Sequence, residues 1–227
     1  AGTAGVTGLR PVYSSRCRTI YGTGRMSSCD VCGKRRADVL QPHTGLRLCR
    51  GCFTADLVAR VSREIFRFGM IRGGEKILLA ISGGKDSFTL LDVMSRIYDP
   101  ELLGGVTIVE GIASYNRAEH VEEIKRLGAE RGVEIFVYSL KELWGASVDE
   151  MVEGSKARGL RISPCTYCGI HRRKGMNIVA RELGYDKVAT AHNLDDEVQT
   201  LMINVLRGDL ERLLANHPRR AKGSRLF

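Results

Sequence analysis

The stretch Ser82-Gly83-Gly84-Lys85-Asp86-Ser87 constrains this chain more than any other. It follows Lys76-Ile77-Leu78-Leu79-Ala80-Ile81, a short apolar run that predicts a buried strand. It precedes Phe88-Thr89-Leu90-Leu91-Asp92-Val93-Met94, which has helical periodicity. Strand, glycine-rich loop and helix together present a row of backbone N–H groups and the positive end of a helix to a phosphate. The two glycines allow close backbone approach, Lys85 adds a point charge, and the hydroxyls of Ser82 and Ser87 can donate. This is not the Walker loop, which needs Ser or Thr directly after its Lys; here Asp86 follows Lys85. A carboxylate inside a phosphate loop makes sense if Mg²⁺ is also held there. The competing reading is a surface turn of small polar residues, and the flanking strand and helix disfavour it.

In that setting the hexapeptide resembles the signature of the PP-loop ATP pyrophosphatases. The resemblance implies that Ser82, Gly83, Gly84, Lys85, Asp86 and Ser87 bind ATP, which is split between its α and β phosphates to adenylate a carbonyl oxygen. The substrate is left open.

At 227 residues, 43% of them hydrophobic, there is room for one α/β domain and a small appendage. No apolar run reaches the ~18 residues of a membrane span, so no membrane is expected. A formal charge of +9 suits a polyanionic partner such as RNA. Seven cysteines with three Cys-x-x-Cys pairs fit metal sites in a reducing compartment better than disulfides. Residues 1–25 carry Arg10, Arg16, Arg18 and Arg25 and no acid. That composition fits either a transit-like leader or a mis-called start upstream of Met26; Cys17 is read as incidental.

Cys29-x-x-Cys32 and Cys49-x-x-Cys52 lie 16 residues apart, the spacing of a four-cysteine zinc ribbon over residues 26–54. Two knuckles supply four tetrahedral thiolates for Zn²⁺, and a module this small draws its stability from the metal. A reactive dithiol is the weaker alternative. Lys34, Arg35, Arg36, Arg47 and Arg50 around it read either as an RNA-facing surface or as a solvated basic face. A linker helix over about 55–68, within residues 55–74, carries Leu57, Val58, Val61, Ile65 and Phe68 close to one stripe, expected to pack on the main domain.

From residue 75 to about 210 strands and helices alternate: strands at 106–109, 134–138 and 187–191, helices at 118–132, 148–158, 167–183 and 194–206. This predicts a doubly wound parallel α/β sheet, whose ligands sit beyond the carboxyl ends of the strands. Ala191-His192-Asn193-Leu194-Asp195-Asp196-Glu197 follows one such strand and should open into the same crevice. Asn193 reads as an N-cap and the acids as first-turn residues favoured by the helix dipole. A carboxylate there could equally orient Mg²⁺, ATP or a substrate base. Further on, Pro164-Cys165-Thr166-Tyr167-Cys168 opens a helix on which Cys168 and Arg172 share a face. The helix dipole and the arginines are expected to lower the thiol pKa values. By itself the pair reads as redox-active, as half of a metal site, or as inert; His171 reads as an exposed helix residue.

Together these motifs, with Leu206-Arg207-Gly208-Asp209, resemble the tRNA 2-thiouridine synthetases of the two-thiouridine synthetase A and cytoplasmic tRNA 2-thiolation protein 1 group, from about Met26 to Asp209. The resemblance implies ATP-dependent adenylation of a tRNA uridine at its C2 carbonyl oxygen, followed by sulfur insertion and loss of AMP. It implies a 4Fe–4S cluster, with Cys165 and Cys168 as two of three ligands, and catalytic roles for Asp196 and Arg172. Ala191 would border the adenylate, where relatives usually have Gly. The implied partners are tRNA and a ubiquitin-like protein thiocarboxylate or inorganic sulfide as sulfur donor, in a cytoplasmic protein whose homodimeric or heterodimeric state is open. Four ribbon cysteines, the stretch from Glu110-Gly111-Ile112 through Met151-Val152, and Leu206 to Asp209 look like the branch that acts on the wobble uridine.

Departures from the pattern are also present. No cysteine follows Cys168, so the third cluster ligand is missing, as is the group's second zinc ribbon, and residues 211–227 read as a basic tail of a truncated protein. Val109 stands where relatives often carry Asp. The alternatives are thiolation of a T-loop ribothymidine or an anticodon-loop cytidine, and a non-catalytic zinc and RNA-binding protein that kept an ATP fold.

Overall fold

The computed structural model describes residues 28–112 and 118–214. The leader-like stretch, Cys17 and the basic residues from 215 onward lie outside them. The chain divides into two compact units between Asp56 and Leu57.

In the first unit, β1 (Val39–Gln41) pairs antiparallel with β2 (Leu46–Leu48), Val39 opposite Leu48. Pro42 to Gly45 turn the chain, and Gly45 takes the left-handed conformation that closes so short a hairpin. The core is minimal: Cys29, Leu48 and Cys49, with Leu46 and Phe53 packed on them. Gln41, the one buried polar side chain among the described residues of this unit, donates to Asp56 Oδ2 at 2.6 Å and accepts from the Thr44 hydroxyl at 2.7 Å. Helix α1 (Arg50–Arg67) begins in this unit, earlier than its apolar stripe suggests, because its first turn also forms the second cysteine knuckle. Of that stripe, Ile65 packs on the core of the second unit, whereas Phe68 lies beyond the helix and is exposed.

The second unit is built on four parallel strands, β3 (Ile77–Ala80), β4 (Leu103–Val109), β5 (Glu134–Ser139) and β6 (Lys187–Ala189), in the order β5-β4-β3-β6. Side chains alternate across a strand, so β3 feeds two cores. Ile77, Leu79 and Ile81 pack with Leu91 and Met94 of α2 (Lys85–Ile97) and Ile124 of α3 (Ala118–Glu130). Leu78 packs on the other face with Leu140 of α4 (Leu140–Trp144), Val148 of α5 (Val148–Ala157) and Met176 and Val179 of α6 (Pro164–Glu182). Strand β4 starts at Leu103, three residues before the apolar run that announces it. Gly104 and Gly105 extend it because each leaves room for a large neighbour: a methyl at Gly104 would overlap the Tyr185 hydroxyl, and one at Gly105 would overlap Ile135.

The order of strands is the functional fact. The chain moves outward from β3 to β4 and β5, then returns to lay β6 on the other side of β3. The loops leaving the carboxyl ends of β3 and β6 therefore diverge at a topological switch point, where such sheets open a crevice. The amino ends are tied together instead: Lys76 N–H donates to Asp186 at 2.8 Å, and Lys187 pairs with Glu75. Beyond β6 come α7 (Leu194–Arg207) and α8 (Leu210–Leu214), and α7 leaves Leu194, Val198, Leu201 and Met202 exposed.

Candidate functional site

The loop after β3 is Ser82 to Gly84, and α2 starts at Lys85. Gly83 has φ of 81°, a conformation a side chain strains to adopt, and a Cβ there would meet Ile124. Gly84 is the N-cap of α2 and contributes no side-chain cap. The first-turn amides, which lack helical partners by geometry, are thus left for an external acceptor such as a phosphate oxygen. Ser87 is buried and its hydroxyl donates to the Gly84 carbonyl at 2.8 Å, so it braces the loop. Lys85 is largely exposed and paired with Asp86 at 2.9 Å. Asp86, and more weakly Asp196 and Asp195, hold the Lys85 ammonium above the usual lysine range.

That influence of Asp195 and Asp196 comes from the opposite lip of the crevice. Asn193 caps α7: its Oδ1 accepts from the Asp195 and Asp196 amides at 2.9 and 3.2 Å, and its own N–H donates to Asp196 Oδ2 at 2.9 Å. The two helix starts are consequently unlike. The α7 amides are already used by their own side chains, while those of α2 are not. The α2 start thus offers free donors suited to a phosphate, and the α7 start offers negative charge, suited to a cation or a donor. Asp196 serves the cap with Oδ2, and among the described residues its other oxygen accepts no hydrogen bond. Ala191, half-buried, lies in the loop between β6 and α7.

A third group of residues stands at the same carboxyl edge, off β4. Ser163 caps α6, accepting from the Thr166 amide at 3.3 Å, and Pro164 takes the first helical position. The helix therefore begins three residues before Tyr167, and Cys165 lies exposed in its first turn. Cys168 is half-buried, against the core that contains Ile108 and Val148. Burial pushes its thiol up, outweighing the pull of Arg172, with Glu110 adding to the rise. The expected lowering thus fails for Cys168, because it faces the core and not the solvent-exposed helix start. Arg172, one turn on, donates to Glu110 Oε1 at 3.2 Å, and Glu110 is buried just past the end of β4. His171 is half-buried, not exposed: its ring meets the edge of Trp144 at 5.5 Å and its Nδ1 lies 3.0 Å from the Tyr167 carbonyl.

Glu110 is the residue that motif reading did not assign. It stands in the segment Glu110-Gly111-Ile112 that resembles the wobble branch, and a carboxylate directly after an apolar strand, once buried, requires a partner.

The four ribbon cysteines belong to the other unit. Their sulfurs lie within 4.8 Å of one another, and Cys32 and Cys49 are 3.9 Å apart. Four thiolates at about 2.3 Å around one Zn²⁺ stand about 3.8 Å apart, so the set fits a tetrahedral ion. The amides of Cys32 and Cys49 hold the Cys29 thiol down to about 6, while the neighbouring Cys49 sulfur and burial push Cys52 up to about 12. A dication would relieve that opposition. Cys165 and Cys168 are free thiols one turn apart on α6, and among the described residues no third metal-ligating side chain gathers with them.

The fold and these loops define a class. A model of the PP-loop domain matches residues 57–226, and the chain belongs to that family. A model described as the N-terminal LIM domain of the 2-thiouridine synthetase TtuA matches residues 28–54. The chain is 38% identical over 189 residues to the cytoplasmic tRNA 2-thiolation protein 1 of Malassezia globosa, covering 82% of this chain and 49% of that protein. The protein of the same name from Saccharomyces cerevisiae is 35% identical over 190 residues, covering 82% and 51%. The chain thus spans about half the length of the curated relatives it matches. Among solved structures, the U34-tRNA thiolase NcsA of Methanococcus maripaludis, determined with its 4Fe-4S cluster, superposes with a TM-score of 0.70 at 29% identity, over 87% of this chain and 64% of that one.

Proposed function

We propose that this chain carries the ATP-using part of a cytoplasmic tRNA-uridine 2-sulfurtransferase acting on the wobble uridine. The observation that carries the reading is the superposition on a U34-tRNA thiolase across 87% of the chain, with an uncapped α2 start and Arg172 at one edge of the sheet. The likeness to the tRNA 2-thiolation proteins supports the same reading.

In this reading the α2 amides, Lys85 and the loop from Ser82 to Ser87 hold the ATP phosphates. Asp86 and Asp196 supply carboxylates for Mg²⁺, and Ala191 borders the nucleotide. The uridine O2 attacks the α-phosphorus, pyrophosphate leaves, and C2 carries an AMP leaving group in place of a carbonyl oxygen. Sulfur then bonds to C2 as the C2–O bond breaks and AMP departs. Arg172, held by Glu110, is placed to bind the negative charge that moves onto the departing AMP. Cys165 and Cys168 would be two ligands of a 4Fe–4S cluster that would supply the sulfur-carrying site; the third ligand is not among the described residues. Cys29, Cys32, Cys49 and Cys52 hold Zn²⁺ as a structural ion. The sulfur donor is a ubiquitin-like carrier or sulfide.

Nucleoside mass spectrometry of tRNA from a strain lacking the protein tests the reading. Loss of 2-thiouridine species at the wobble position is expected. Unchanged wobble thiolation overturns it, and loss of a T-loop 2-thiolated nucleoside alone moves the target.

A further inference from the structure

From Gly154 to Arg181 the chain carries Lys156, Arg158, Arg161, Arg172, Arg173, Lys174 and Arg181 and no Asp or Glu. Outside this window 28 Lys and Arg face 26 Asp and Glu, so seven of the nine excess charges sit within it. The concentration is local, and it has a definite place in the fold. Every residue from Lys156 to Thr166 is exposed. They form the end of α5, the connection, and the first turn of α6, which ends at Cys165 and Cys168. The Arg172–Glu110 pair holds α6 at the carboxyl end of β4, and the phosphate loop leaves the same carboxyl edge of the sheet from β3. Within it Leu160 and Ile162 are 50% and 38% exposed between the cations.

We propose that Lys156, Arg158 and Arg161 form the track on which the phosphate backbone of the substrate RNA crosses the rim, with Leu160 and Ile162 against ribose and base faces. The proposal rests on the tRNA reading above. Cations with no interleaved carboxylate suit a polymer with one charge per residue, and guanidinium forks match phosphate oxygens. An acidic protein surface is the other ligand such charge attracts. RNA is favoured because a base that reaches the crevice must bring its own backbone over this edge.

The test is filter binding of unmodified tRNA to the full chain over a series of salt concentrations. Neutralising one single-strand phosphate contact lowers the slope of log affinity against log salt by about 0.7. The triple variant Lys156→Gln, Arg158→Gln, Arg161→Gln is expected to lower it by about 2. Lys76→Gln, exposed at the amino end of β3, is expected to leave it unchanged. An unaltered slope in the triple variant overturns the track, including the case in which only binding of an acidic protein weakens. ATP-induced thermal stabilisation reports whether the variant is folded. If that is lost, Arg161→Gln alone decides: a drop of about 0.7 supports the track and no drop overturns it. Absence of tRNA binding by the unaltered chain overturns the functional reading together with the track, whereas an unaltered slope leaves that reading standing.

Discussion

At the scale of single residues, the candidate site sets one buried carboxylate against a guanidinium. Glu110 is nearly inaccessible and meets Arg172 across 62 positions of sequence. Motif reading reaches Cys165, Cys168 and Arg172, since they recur at helical spacing within eight residues. It does not reach the pairing of Glu110 with Arg172, because a pair that distant is created only when β4 and α6 meet. Glu110→Gln keeps the shape and removes the charge. Arg172 is partly solvated, so the loss of stability is expected to be about 1 kcal/mol, read from the urea midpoint. Thiolation is expected to fall at least about tenfold, as loss of about 1.4 kcal/mol of transition-state stabilisation implies. An unchanged rate would remove Arg172 positioning from the mechanism.

At the scale of elements, the caps decide which helix start receives which charge. Both β-to-α turns are legible as candidate sites, but the division of labour is not. Asn193 and Asp196 close their cap upon each other, and Gly84 cannot. A capping box also governs the α4–α5 junction, where Glu150 accepts from the Ser147 amide and from Lys141, both at 2.7 Å. Lys141, then the Ser147 amide, lower its pKa from 4.5 to about 2. A carboxylate depressed in the folded state contributes stability that is fully present above about 4.5 and is lost as pH falls through about 2. The Glu150 carboxyl resonance should therefore titrate with a midpoint near 2; a midpoint near 4.5 would mean that cap and bridge do not form in solution. The ribbon hairpin has a core too small to stand alone, so its metal is expected to carry its folding. In Cys29→Ser, one equivalent of zinc should disappear from metal analysis and residues 28–54 should become sensitive to protease. Retained zinc would disprove the four-sulfur site.

At the scale of the whole molecule, the PP-loop unit is expected to be stabilised by ATP independently of the sulfur chemistry. With ATP and Mg²⁺ at about 100 times the dissociation constant, stabilisation should be about 2.7 kcal/mol. Lys85→Ala should abolish most of the resulting thermal shift, and the pair Cys165→Ala, Cys168→Ala should retain it. Loss of the shift in the cysteine variant would place those residues in nucleotide binding.

Sequence by itself determined what is local. The apolar run before a glycine loop, the helical periodicity after it, and two cysteine knuckles at ribbon spacing act through neighbours along the chain. Period, cap and turn chemistry write such features directly. The start of α6 at Pro164 is likewise local, since the segment Pro164 to Cys168 already reads as a helix opening. Tertiary structure alone decided what is relational. The return of β6 beside β3 places two distant loops at one switch point. Packing against the core, not the helix dipole, sets the Cys168 thiol. Glu110 finds Arg172 only across the sheet edge. The physical reason is that burial and charge pairing depend on distance in space, and a linear pattern records distance only along the chain.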